Sequence, residues 1–431
     1  MSATHAQSAE SGPFTLLIRG ASAVLTADGP ESTDGGLMLG SLAGAAVGVR
    51  GNQVSWIGPE AALPHGAVTR DTEALDAEGG LVVPGFVDSH SHVVYAGDRS
   101  EEFALRALDV DSAGITRAGG GILSTVVATR AKDEEGLVRL ALPRLQRLLA
   151  HGVTTLEVKS GYGLTLEDEL KLLRVIRRLG SLQPIQLVPT FLWLHALPPE
   201  WATDRAGYLA LGRRTLDIVA REGLAEFADA FVEQGAFTVD EARSFLTDAK
   251  ARGLKLHLHV DQLSAGGGAE LAAELGAVSA DHLECVDAAG VAALARAGVT
   301  AVLVPVATLV LRRPKYAPGK ALREAGVPVA LASNVNPGSA PTENLSLSLG
   351  LACLLNGLTP EEALLGVTRW GARALGRTDV GRLRVGGPAD LLVLGCREVA
   401  HLAAHLGVCH ARAVVKAGRV VLRASDAARC A

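Results

Sequence analysis

Short apolar runs alternate with longer stretches of helical period through most of the chain. The first, Leu81–Val87, is apolar almost without interruption. Beyond it, helix-like segments precede short apolar runs: Leu137–Ala150 before Thr154–Val158, Leu166–Leu179 before Ile185–Thr190, and Asp240–Arg252 before Leu254–Val260. Ala269–Leu275 precedes a run at Val278, Ala288–Ala297 precedes Thr300–Val304, and Lys320–Ala325 precedes Val327–Ala332. Strands that are apolar throughout and alternate with helices predict a parallel sheet covered on both faces. About eight such units fit between residues 81 and 380, the length of a (β/α)8 TIM-type barrel. A doubly wound open sheet is the alternative, but no GxGxxG fingerprint opens a helix to support its dinucleotide-binding form.

Both chain ends have a different texture. Phe14–Ile18 and Ala21–Thr26 are strand-like, and Val47–Arg50 and Gln53–Ile57 flank a Gly51-Asn52 turn. Asp28–Gly44, rich in Gly, Ser, Asp and Pro, predicts a loop. After residue 380, Asp390–Leu394, Ala413–Lys416 and Arg419–Leu422 predict strands again. The expected organisation is a flexible tail at 1–13, one small β-domain from 14–80 and 381–425, and the barrel at 81–380.

Hydrophobic residues make up 48% and charged residues 20%, which excludes disorder for the bulk of the chain. A net charge of −5 and 4% aromatics argue against nucleic-acid binding. The 5 cysteines are scattered and form no CxxC, predicting reduced thiols. The N-terminus lacks a basic segment followed by an apolar one, and no run of about 18 apolar residues occurs. A cytoplasmic enzyme is expected, with a small-molecule substrate, no nucleic acid, no membrane, and a homodimer as its assembly.

Chemistry-bearing residues follow the apolar runs. Asp88-Ser89-His90-Ser91-His92 closes the first. Alternate strand residues share a face, so His90 and His92 point the same way. Two imidazoles at the C-terminal end of a barrel strand make half of a zinc or iron site. HxH also occurs by chance on surface loops; its place after a buried strand favours the metal. His257-Leu258-His259-Val260-Asp261-Gln262 closes another run, and either histidine completes a three-histidine site by spacing alone. Ser279-Ala280-Asp281-His282 offers His282 as an acid or base, against a packed core histidine. Ser333-Asn334-Val335-Asn336-Pro337-Gly338-Ser339 would lie over the barrel mouth. Arg99 suits a substrate carboxylate, although solvated arginines are commoner. Ser160-Gly161-Tyr162-Gly163 would expose the Tyr162 hydroxyl on a tight turn. His195 follows an apolar run and fits a core or a site equally.

These segments carry a resemblance. Pro84–His92, Gly119–Gly121 with Ile122, Glu157–Gly163, Ser279–Leu283, Asn336–Ser339 and Pro341-Thr342 are similar to those of the imidazolonepropionase family, within the metal-dependent amidohydrolase superfamily. HxH is shared by the superfamily, whereas Lys159–Gly163 and Asn336–Gly338 are specific to the family. The likeness spans residues 15–424. It implies a (β/α)8 barrel with a small β-sandwich from both chain ends. It implies one Zn2+ or Fe3+ ion held by His90, His92, His259 and position 334. Arg99, Tyr162, His195, Gln262, Asn336, Gly338 and Ser339 would contact substrate, and His282 would act on the attacking water or the substrate carbonyl. The implied reaction is hydrolysis of the ring C–N amide of 4-imidazolone-5-propanoate to N-formimidoyl-L-glutamate.

Two positions depart from the family pattern. Gln262 stands where many members have glutamate, and Asn334 where the family has an aspartate that binds metal and takes a proton from water. Asparagine offers a neutral carbonyl oxygen and no base. An impaired but competent hydrolase is expected, with His282 as proton acceptor. The rivals are a deaminase of a heterocycle or of formimino-glutamate, which would release ammonia, and a metal-poor binding protein.

Overall fold

A computed structural model describes residues 12–32, 34–111, 114–115 and 119–423. Residues 1–11 of the expected tail and 424–425 of the expected β-domain lie outside the described residues. Eight parallel strands run in the order of the chain: β8 (Phe86–Asp88), β9 (Val153–Lys159), β10 (Gln186–Leu194), β11 (Phe227–Val232), β12 (Lys255–Val260), β13 (Ser279–His282), β14 (Thr300–Leu303) and β15 (Val329–Leu331). Backbone bonds from Asn334 N to His90 O (3.0 Å) and from His92 N to Val335 O (3.0 Å) join the two ends of this series. The sheet therefore curls into a (β/α)8 barrel, and the strand ends bearing the histidines sit at its mouth.

The helix between β9 and β10 is amphipathic and capped. Leu166–Gly180 starts where Thr165 accepts from Asp168 N, carries Glu167, Asp168 and Glu169 in its first turn, and ends on Arg177 and Arg178. Both charge placements suit the helix dipole. Leu170, Leu173, Val175, Ile176 and Leu179 bury its inner face. The helix expected from Leu137 begins at Glu134, because Asp133 caps Gly136 N and a polar first turn extends it.

The elements of the barrel that escaped the apolar pattern include the helix Arg205–Glu222 and strand β11. Asp229 interrupts the apolar run of β11, and the helix mixes alanine with arginine. The run Leu81–Val87 also divides. Gly85 breaks it, and a Cβ there would lie 2.2 Å from Thr154 Oγ1. Leu81–Pro84 (β7) leaves the barrel and pairs with Leu391–Leu394 (β16).

The remaining strands are β1 (Leu16–Arg19), β2 (Ala23–Leu25), β3 (Ser41–Ala43), β4 (Ala45–Arg50), β5 (Gln53–Pro59), β6 (Glu73–Asp76), β17 (Ala411–Lys416) and β18 (Arg419–Arg423). They form a sheet ordered β5-β4-β1-β6 and another ordered β18-β17-β16-β7-β2-β3. Leu16, Ile18, Val47, Val82, Leu391 and Val393 share one core there. The β4–β5 turn falls at Gly51 and Asn52, as the sequence predicts, with Gly51 at φ +58°. The expected loop 28–44 holds a short helix, Gly35–Leu39, capped by Asp34, and β3. A further helix, Val399–Ala404, separates β16 from β17.

Candidate active site

The barrel mouth is organised from β8. The Asp88 carboxylate accepts from Ser333 N (3.0 Å) and Ser333 Oγ (2.5 Å), which pins the segment after β15 beside the histidines. His90, His92 and His259 are buried, and each offers a ring nitrogen within 4.8 Å of the others. Nε2 of His92 and Nε2 of His259 face each other at 3.4 Å, and His90 Nε2 is buried without a hydrogen-bond partner. Two nitrogens bound tetrahedrally to one zinc-sized ion stand roughly 3.3 Å apart. This donor set fits a single divalent metal. Burial, then the Lys159 charge, holds His90 well below the usual imidazole range. Burial, then His195, does the same for His92. Neutral rings are the form that ligates.

Contacts distinguish His257 from His259, which spacing leaves equivalent. His257 Nδ1 lies 2.9 Å from Glu157 Oε1, its Nε2 lies 3.0 Å from Ala374 O, and its ring stacks on Phe227. Neither nitrogen is free for a metal.

Behind the cluster lies a buried charge network. His90 Nδ1 is 2.6 Å from Asp281 Oδ2, and His259 Nδ1 is 3.0 Å from Asp229 Oδ2. A carboxylate on the far nitrogen fixes the tautomer that aims Nε2 at the cluster. Lys159 Nζ lies 2.6 Å from Glu157 Oε1, 2.7 Å from Asp229 Oδ2 and 3.6 Å from Asp281 Oδ2. Burial opposes the Lys159 charge, but Asp229, Glu157 and Asp281 outweigh it and keep the amine protonated. Asp229 is absent from the sequence expectations, and its partner Lys159 enters them only within the Lys159–Gly163 segment, with no role; a lysine at the end of an apolar strand was the available signal.

Of the remaining expected residues, His195, Tyr162 and His282 have rings beside the cluster. The His195 ring stacks on His92 with centroids 5.1 Å apart, and His195 Nδ1 donates to Gly161 O at 2.8 Å. That bond leaves Nε2 as the acceptor. Burial pushes His195 down to about 3, so it stays neutral in use. The Tyr162 ring lies 5.8 Å from His92, and burial pushes its hydroxyl above the usual phenol range. Glu169, another residue the sequence did not mark, accepts from Gly161, Gly163 and Leu164 N–H groups and holds this turn. The His282 ring is 5.5 Å from that of His90 and 5.3 Å from that of His259, with its Nδ1 3.6 Å from Glu284 Oε1. His282 (φ +81°) and Asn334 (φ +52°) occupy left-handed backbone, strain of the kind that gathers at functional sites.

The loop after β15 is held from within. Asn336 Nδ2 donates to Asn334 O (2.7 Å), Ser339 Oγ (2.9 Å) and Asn334 Oδ1 (3.2 Å), while Asn336 Oδ1 accepts from Gly338 N and Ser339 N. Asn336 thus shapes the turn carrying Asn334, Gly338 and Ser339. Arg99 presses on Gly338, where a Cβ would lie 2.2 Å from its Cζ. Gln262 is three residues past His259; its side chain makes no hydrogen bond to the described residues.

The fold and the donor set define a metal-dependent hydrolase barrel, and the chain belongs to the amidohydrolase family, which matches residues 113–422. Within that family its relatives are imidazolonepropionases. It is 57% identical to the imidazolonepropionase of Myxococcus xanthus, covering 95% of this chain and 97% of that protein. It is 52% identical to that of Anaeromyxobacter sp. strain K, covering 95% and 96%. A triazine hydrolase variant superposes with a TM-score of 0.74 at 20% identity, covering 95% and 94%. Atrazine chlorohydrolase from Arthrobacter aurescens, complexed with zinc, gives 0.70 at 20% identity, covering 95% of each chain. These last two likenesses are of fold. Among the described residues no helix is long and apolar enough to cross a membrane.

Proposed function

We propose that this chain hydrolyses the ring C–N amide of 4-imidazolone-5-propanoate to N-formimidoyl-L-glutamate, a step of histidine degradation. The observation that carries this reading is 57% identity to an imidazolonepropionase over nearly the whole chain. The three-histidine cluster supplies matching chemistry. His90, His92 and His259 would hold one zinc or ferric ion, and Asn334 would offer it a neutral oxygen. When bound, the ion supplies Lewis acidity, activating water and polarising the ring carbonyl.

The protein groups do the rest. Arg99 takes the propanoate carboxylate and fixes the ring above the cluster. Tyr162 donates its hydroxyl and His195 offers Nε2 to the substrate. Gln262, Asn336, Gly338 and Ser339 line the pocket. Asn334 has no base to offer, so His282 takes the proton from the attacking water and returns it to the leaving ring nitrogen. The unpaired thiols of Cys285, Cys353 and Cys396 favour a cytoplasmic location.

Chelation tests the metal. Prolonged dialysis against a strong chelator should abolish turnover, and adding back zinc or ferric iron should restore it; the better ion identifies the native one. Full turnover by metal-free protein contradicts the reading. Arg99→Ala should raise KM by roughly 10- to 100-fold, the weight of a hydrogen bond between charged groups, with kcat much less changed. Steady-state kinetics check it, and an unchanged KM removes Arg99 from this role.

A further inference from the structure

The Arg99 side chain is held by a residue to which no role has been given. Glu102 lies in the first turn of the helix Ser100–Ala107 and is 4% exposed. Its carboxylate collects four donors from three residues: Arg99 Nε at 2.7 Å, Arg99 Nη2 at 2.9 Å, Arg106 Nη2 at 3.0 Å and Gly121 N at 2.7 Å. Burial pushes its carboxyl up, but the Arg99 and Gly121 bonds and the two arginine charges bring it below the usual range.

The geometry of the Arg99 contact matters more than its presence. A guanidinium has two edges that match a carboxylate, Nε/Nη2 and Nη1/Nη2. Glu102 occupies the first. Nη1 has no acceptor among the described residues, so the second edge is open. Gly338 lies directly against Cζ and Nη1, and a Cβ there would come within 2.2 Å of both. Arg106 does not compete for an anion, because its Nη1 donates to Gly338 O at 3.2 Å. Two cations share one anion, which leaves one positive charge in surplus. Arg99 is also the charged group that acts most on Tyr162, which neighbours His92.

We propose that Glu102 is a positioning residue: it clamps one edge of Arg99 so that the other edge is presented, already oriented, to the substrate carboxylate. This rests on the reading that Arg99 binds that carboxylate. Glu102 thereby makes the site select a carboxylate over a neutral amide at the same position. A surface i,i+3 ion pair would do neither, but this pair is largely buried, with side chains 13% and 5% exposed.

Glu102→Gln tests the proposal. Glutamine turns an N–H donor toward the arginine donors, so the clamp opens while the volume stays. KM for 4-imidazolone-5-propanoate should rise roughly 10- to 100-fold, the weight of one hydrogen bond to a charged group. The kcat value and the bound metal should hold. Discrimination against the substrate analogue carrying a carboxamide should fall with the KM change. If removing the anion simply freed the Arg99 charge, KM would stay or drop, and either result overturns the proposal. Should Glu102→Gln fail to fold, Gly338→Ala displaces the same guanidinium with Glu102 intact; KM should rise, and an unchanged KM overturns the proposal. Arg99→Ala separates the two layers. An unchanged KM there removes the underlying reading, whereas a raised KM with wild-type KM for Glu102→Gln removes only the positioning role.

Discussion

Replacing Lys159 with methionine should destabilise the folded chain by about 3–5 kcal/mol, the cost of leaving a buried charge without its partner. Methionine nearly matches lysine in length, so the loss is electrostatic rather than a cavity. Lys159, Glu157, Asp229 and Asp281 are all fully buried, and the one ammonium lies within 3.6 Å of a carboxylate oxygen of each. Without it, three buried carboxyl groups face one another with no cation except a bound metal. Urea unfolding of chelator-treated protein measures the effect, and pairing the change with Glu157→Gln should recover part of it. A loss below 1 kcal/mol, on the order of an exposed pair, contradicts the assignment.

Asn334→Asp should tighten metal binding and raise turnover by at least about tenfold, less than the roughly 10²–10⁴-fold that a general base contributes because His282 already takes the proton. Position 334 suits both residues, because Asn and Asp tolerate left-handed backbone better than other side chains, and its φ is +52°. Asp would keep the acceptor that Asn336 Nδ2 meets at 3.2 Å. It would add an anion beside the cluster, since Asn334 N donates to His90 O at 3.0 Å. An opposing effect is present: a site with only neutral ligands leaves the ion more electrophilic. The gain in base and in ligand charge should outweigh it. Competition with a chromophoric chelator and steady-state rates check the two parts. If neither changes, Asn334 does not hold the place of the family aspartate.

Much of the barrel was legible because parallel strands buried on both faces leave continuous apolar runs, and because HxH after such a run is specific. What escaped did so for physical reasons. Strand β11 carries Asp229 in its middle, so the charge that makes it functional also hid it from an apolar pattern. Leu81–Val87 looked like one strand, yet Gly85 lets Thr154 close in and divides it between two sheets. His257 and His259 share a face, and spacing could not tell them apart; Phe227, Glu157 and Ala374 engage only His257. Glu102, Glu169 and Lys159 act through partners. Lys159 meets Asp229 across 70 positions, a pairing no local pattern encodes.

The most direct test of the central claim is the stoichiometry of 4-imidazolone-5-propanoate turnover by protein carrying one metal per chain, with N-formimidoyl-L-glutamate and ammonia both quantified. Ring opening predicts one product formed per substrate lost, and no ammonia. Ammonia released in step with substrate loss would mean a deaminase, and no turnover with zinc or iron bound would mean a site that holds metal without this chemistry.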